Sequence, residues 1–143
     1  MSRRAAVALA SIATDLRDLH TMTEMKPTGQ DRRAQLGADG EDRVLAWYKE
    51  RGYVLVARNW RCQRGEIDLI VRRGSALVFC EVKTRTSNAF GGPFAAVGVR
   101  KQRRLRTLAI LWLEEADPQG ASELRFDVAG VIDRSVEVIE AAF

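Results

Sequence analysis

The stretch Gly65 to Thr84 reads GEIDLIVRRGSALVFCEVKT, and its pattern decides the fold. Two apolar runs flank Gly74-Ser75, a two-residue hairpin turn with glycine in the first position, as a type II′ turn requires. Residues whose numbers sum to 149 then face each other. One face pairs Val71 with Val78, Leu69 with Cys80 and Ile67 with Val82, and is wholly apolar. The other pairs Ile70 with Phe79, Asp68 with Glu81 and Glu66 with Lys83, so charge collects at the end away from the turn. A slip of one residue would send Asp68 and Glu81 to opposite faces.

Directly opposed residues have Cβ atoms about 5 Å apart. Two carboxylates at that spacing repel by roughly 3 kcal/mol at an effective dielectric of about 20. Lys83 relieves part of this, and a divalent cation between the oxygens would relieve the rest. Mg²⁺, or Mn²⁺, suits such a site, because it binds through one or two carboxylates together with phosphate oxygens and water. A lysine one pleat beyond Glu81 could then orient or deprotonate a metal-bound water. Taken alone, Glu-x-Lys is also what a solvated strand end looks like. The register, the apolar opposite face and the second acidic pair favour the site.

Working outward, Asp31 to Arg51 is helical: Gly37, Glu41, Val44 and Tyr48 fall on one face and Gly52 closes the C-terminus. By periodicity, Glu41 either points to the core side of this helix or snorkels to solvent. Gly37 and Gly40 would let the helix approach a strand or a phosphate closely. Tyr53 to Ala57 reads as a strand. Asn88 to Pro93 is a glycine-rich loop without the Lys-Ser/Thr of a P-loop. A second helix runs to about Ala116 with Leu105, Leu108 and Trp112 as its stripe. Leu124 to Asp133 and Val136 to Ile139 complete the chain as strands. The expected fold class is α/β, a mixed β-sheet flanked by helices in the order α-β-β-β-α-β. Residues 1–30 read as a poorly ordered tail and 31–143 as the single domain.

Composition excludes several classes. No apolar run approaches the roughly 20 residues that span a bilayer, and acidic Asp15 and Asp18 spoil the resemblance of the N-terminus to a signal peptide. The expected location is the cytoplasm, with Cys62 and Cys80 as free thiols. One histidine, His20, and two separated cysteines are no zinc ligand set. A metal would have to be a hard cation held by carboxylates. The net charge of +4 mildly favours an anionic partner. Five of the seven residues from Arg100 to Arg106 are basic, and Arg58, Arg61 and Arg64 surround Trp60.

At this point the chain resembles the YraN family, a bacterial family of predicted endonucleases. The resemblance lies in Gly65-Glu66-Ile67-Asp68-Leu69-Ile70 followed by Phe79-Cys80-Glu81-Val82-Lys83-Thr84-Arg85. It extends over Gly37-x-x-Gly40-Glu41, Gly52-Tyr53, Arg58-Asn59-Trp60-Arg61, Phe90-Gly91-Gly92, Lys101 and Arg125-Phe126-Asp127-Val128. That family is similar to the PD-(D/E)XK nucleases, and among them to archaeal Holliday-junction resolvases. The resemblance implies a restriction-endonuclease-like core. It implies Asp68, Glu81 and the Val82 backbone carbonyl as metal ligands, Lys83 as the water-activating lysine and Glu41 as the helix carboxylate completing the site. The superfamily's Pro-Asp is absent, since Ile67 precedes Asp68.

The expected function is metal-dependent endonucleolytic hydrolysis of DNA phosphodiesters, either structure-selective, at branched or junction DNA, or weakly selective. Glu66 supports the site. Lys101 is expected to reach inward from the stripe of its helix toward the scissile phosphate. Arg58, Arg61, Arg100, Arg103 and Arg104 would hold the nucleic-acid backbone. Trp60 either stacks on an unpaired base or packs the sheet edge. A homodimer is expected if two strands of a junction are cut, and no membrane partner is. The competing reading is a non-catalytic nucleic-acid-binding or scaffold protein that kept the fold.

Overall fold

Two amphipathic helices each need a surface on which to bury one face, and a five-stranded sheet supplies both. The computed structural model describes residues 28–85 and 97–143. The expected tail, apart from its last three residues, and the Asn88–Pro93 loop lie outside the described residues. The elements are α1 (Gly29–Glu50), β1 (Val54–Cys62), β2 (Gly65–Arg73), β3 (Ala76–Arg85), α2 (Val99–Ala116), β4 (Glu123–Ile132) and β5 (Ser135–Ile139). The sheet order is β1-β2-β3-β4-β5. Only β3 and β4 are parallel, in register from Ala76–Glu123 to Arg85–Ile132. Parallel neighbours need a long crossover, and α2 is that crossover. With β5 added at the edge, this is the α-β-β-β-α-β mixed sheet of a restriction-endonuclease-like core. No helix among the described residues is long and apolar enough to cross a membrane.

Local chemistry sets the helix ends. Thr28 and Asp31 exchange side-chain and backbone hydrogen bonds, with the Thr28 amide donating to the Asp31 carboxylate at 2.9 Å and the Asp31 amide to Thr28 Oγ1 at 3.2 Å. This reciprocal cap starts α1 two residues before the expected Asp31. At the other end Gly52 takes φ of 84°. Its amide bonds to the Lys49 carbonyl while the Tyr53 amide reaches that of Tyr48, which closes the helix in a Schellman motif.

The sheet has two cores. On the α1 side Val44, Leu45 and Tyr48 pack with Leu69, Val71, Val78, Cys80 and Ala129. On the α2 side Leu105, Leu108 and Trp112 pack with Ile67, Ile70, Leu77 and Phe79. Each large aliphatic side chain so buried contributes about 1.5–3 kcal/mol. Asp127, a charged group, is almost fully buried and receives the Tyr48 hydroxyl at 2.7 Å, two Arg125 nitrogens at 2.8 and 2.9 Å, and the Ala141 amide at 3.0 Å. With every oxygen satisfied, this carboxylate ties α1, β4 and the C-terminus together.

Two expectations require correction. The first strand does not stop at Ala57 but continues through the basic cluster to Cys62. And Ile67 does not share the α1-side face with Leu69 and Val71; it belongs to the α2-side core. The β1–β2 ladder passes from Arg58–Leu69 to Trp60–Ile67, leaving out Asn59 and Asp68. Asn59 lies in the left-handed region at φ 50°. Alternation therefore breaks in both strands at once: Ala57 and Trp60, like Ile70 and Ile67, face the same core although they are three residues apart.

Of the two glycines expected to allow close approach, only Gly40 does. A Cβ there would stand 1.9 Å from Thr84 Oγ1, whereas at Gly37 nothing lies within 4 Å. Gly40 thus seats α1 directly on the end of β3, beside Glu41. Gly40→Ala is expected to lower stability by about 1–3 kcal/mol through overpacking. Thr84→Ala in the same chain should recover part of that loss, as measured by urea denaturation.

Candidate active site

The hairpin forms with the predicted register as far as Leu69–Cys80, and Gly74 takes φ of 59° in its turn. Beyond that pair the β2–β3 ladder ends, so Asp68–Glu81 and Glu66–Lys83 are not cross-strand partners. The strands part instead, and the Asp68 carboxylate accepts the Val82 amide at 2.8 Å. A side chain thereby satisfies a backbone donor that the lost ladder would have left orphaned. The gap is a pocket of about 180 Å³ whose lining includes Glu66, Asp68, Glu81 and Lys101. The structure therefore gathers Asp68 with Glu81, as the sequence reading requires, by opening the sheet rather than by pairing across it.

Inside the gap Glu81 is buried. Its Oε1 is contacted by Lys83 Nζ at 3.2 Å and forms an ion pair with Lys101 Nζ. Lys101 thus reaches inward from the stripe it shares with Leu105 and Leu108, as its spacing predicts. Burial, and then the neighbouring carboxylates Glu81, Glu41 and Glu66, push the Asp68 carboxyl up to about 7, against the pull of the Val82 amide. Burial and the adjacent Lys101 push Lys83 down. For Lys101 burial acts in the same direction, but Glu81 and the other neighbours outweigh it and raise its pKa.

Glu41 faces inward: it lines a second pocket with Val82 and Lys83. It is held there by Arg58 Nε at 3.1 Å and Asn59 Nδ2 at 3.1 Å. The left-handed turn at Asn59 that breaks the ladder also aims its amide at Glu41. Asparagine tolerates this conformation better than most residues, which was a legible signal. Arg58 also pairs with Asp42 at 2.5 Å and donates to the Ala38 carbonyl, so its guanidinium is committed to α1. Arg61 pairs with Glu66 at 2.9 Å, and Arg104 donates to the Arg64 carbonyl at 3.2 Å. Arg100 and Arg103 are exposed on α2. Trp60 packs against the α2-side core, the sheet-edge role rather than a stacking platform.

The donors are hard carboxylate oxygens, the type that a divalent cation such as Mg²⁺ prefers. As arranged, however, the carboxylates are apart: among the described residues no three acidic, cysteine or histidine side chains converge closely enough to hold a metal. Glu81 is engaged by two ammonium groups and Glu41 by Arg58 and Asn59.

A chain with this core and this set of charged groups matches, over residues 40–131, the model of an uncharacterised protein family, UPF0102. It is 48% identical over 100 residues to a UPF0102 protein of Streptomyces griseus, covering 70% of this chain and 84% of that protein. It is 50% identical over 97 residues to one of Beutenbergia cavernae, covering 68% and 81% respectively. A relative from Acidothermus cellulolyticus matches at 38% over 125 residues, 78% of this chain and 95% of its own length. The chain belongs to the UPF0102 family. The matched span contains Glu41, Asp68, Glu81, Lys83 and Lys101.

Because the folded-state pKa of Asp68 lies above the ordinary value of 3.8, its ionised form opposes folding. The cost is absent below about pH 4, grows as pH rises to about 7, and is constant above that. Asp68→Asn keeps an oxygen for the Val82 amide and removes the charge. It is expected to be more stable than the wild type at pH 8, by on the order of 2–4 kcal/mol, with the difference vanishing near pH 4. Metal-free chemical denaturation across that range measures it.

Proposed function

We propose that the chain is a metal-dependent DNA endonuclease, and the observation that carries this reading is the opened end of the β2–β3 hairpin. There Asp68 and Glu81 line one pocket with Lys101, while Lys83 lines the neighbouring pocket with Glu41 and reaches Glu81 at 3.2 Å. A stable hairpin gains nothing from ending its ladder to bury acids together. Such an arrangement costs stability, as strain kept at a functional site does.

In this reading Asp68, Glu81 and the Val82 carbonyl would hold Mg²⁺ or Mn²⁺, with Glu41 completing the set. The bound ion supplies Lewis acidity at the phosphodiester. The chain's own part is the proton and the charge. Lys83, its pKa lowered by burial, is suited to accept a proton from the attacking water. Lys101, released from Glu81, can neutralise charge on the phosphate. Selection of the DNA by its structure, such as a junction, is part of this reading. A cytoplasmic homodimer belongs to the same reading. The scaffold alternative is favoured by one observation, that two ammonium groups already neutralise Glu81.

With the full chain, cleavage of linear, single-stranded or four-way-junction DNA is expected with Mg²⁺ or Mn²⁺ and not with EDTA. Asp68→Ala and Lys83→Ala should each lower the rate by about 10²-fold or more. Cleavage that survives both substitutions or needs no metal would remove the catalytic claim, and binding without cleavage of any substrate would establish the scaffold. Lys101→Ala is expected to tighten Mg²⁺ binding several-fold by titration calorimetry, because it frees Glu81, while slowing cleavage.

A further inference from the structure

The arginines nominated from the sequence lie on β1 and α2, but another set lies on the opposite side of the candidate site. Arg43 on α1, Arg85 at the end of β3 and Arg134 in the β4–β5 turn line one cleft of about 340 Å³. Leu36 and Thr84 line both this cleft and the pocket of Glu41 and Lys83, so the two adjoin. Three separate elements each place a guanidinium along a path that leads to Lys83.

These guanidiniums have been left available. Arg58, Arg61 and Arg125 each hold a carboxylate. Among the described residues no ion pair engages Arg43, Arg85 or Arg134, although Asp39 and Asp133 line the same cleft. Five guanidinium donors apiece, in a planar fork, match phosphate oxygens better than any other side chain does.

The turn is an independent observation. Asp133 and Arg134 join the pair Ile132–Ser135 with φ of 46° and 69°. Positive φ at both central residues is a type I′ turn, in which Asn-Gly or Gly-Gly is favoured and a long side chain at the second position is strained. Glycine would relieve the backbone but remove the guanidinium from the cleft. Strain retained where a relaxed sequence is readily available points to a use for the side chain.

We propose that this cleft is a second phosphate track, binding the backbone of the DNA that runs into the candidate active site. The proposal rests on the nuclease reading for its ligand, and extends it by assigning Arg43, Arg85 and Arg134 as backbone contacts. Such contacts carry no base specificity, and their mark is salt dependence.

The test is fluorescence anisotropy of a labelled DNA duplex with the full chain in EDTA, across a salt series. The variants are Arg43→Ala, Arg134→Gly and, as a charge-matched control at the far end of α1, Arg51→Ala. Arg43→Ala and Arg134→Gly are each expected to weaken binding several-fold and to lower the slope of log K against log salt by about 1. Arg51→Ala should leave the slope unchanged. Arg134→Gly is also expected to raise Tm by about 3 °C, so its loss of binding cannot come from poor folding. Wild-type affinity and slope in both cleft variants would overturn the track and leave the nuclease reading standing. A wild-type chain that binds no duplex even at low salt would overturn the track as well, and the cleavage assays on single-stranded and junction DNA would then decide the nuclease reading alone.

Discussion

The hydrogen bond from the Val82 amide to the Asp68 carboxylate is the contact around which the functional end of this molecule is arranged. Antiparallel strands pair for as long as their backbones can, because each unpaired buried amide costs about as much as a lost hydrogen bond. Here the hairpin stops at Leu69–Cys80 with both strands still continuing. Asp68 makes the stop tolerable by satisfying the next donor of β3 itself. In doing so it becomes a half-buried carboxylate in the same pocket as Glu81, and the cost of opening the ladder is converted into a concentration of charge.

The same residue marks the break on the other side. Asp68 is also missing from the β1–β2 ladder, where its opposite number is Asn59 in the left-handed region. The matched break turns the outer halves of β1 and β2 together, which carries Trp60 and Ile67 into the α2-side core. It also lets Asn59, with Arg58, hold Glu41 from α1. One local irregularity thus couples the two helices, and the side chains they contribute, to the end of the central hairpin.

Charge balance around Glu81 gives the site two forms of neutralisation. Lys83 and Lys101 supply it from within the chain, one from the same strand and one from the crossover helix. A divalent ion would supply it from outside, and must then compete with a tethered ammonium. In the proposed nuclease reading, Lys101 would hold the carboxylate in the absence of metal and lie near the phosphate in its presence.

How much of this was legible follows from the range of each interaction. The helix ends, the Gly-Ser hairpin, its register near the turn and the apolar stripes of both helices rest on contacts within a few residues, so the one-dimensional pattern determined them. The same pattern put Asp68, Glu81 and Lys83 at one end of the hairpin, whereas the approach of Lys101 to Glu81, 20 positions away, came only with the packing of α2. What only the tertiary structure decided was the parting of the strands and the breaks in alternation. It likewise decided the seating of Gly40 on Thr84 and the use made of each arginine. Arg58 and Arg134 are both solvated cations in a sequence. Only after α1 has packed beside β1 does Arg58 meet Glu41 and Asp42, and only after β4 has paired in parallel with β3 does Arg134 come to line a cleft with Arg43. Those contacts join residues 16 or more positions apart, and no local propensity encodes which partner a long side chain will find.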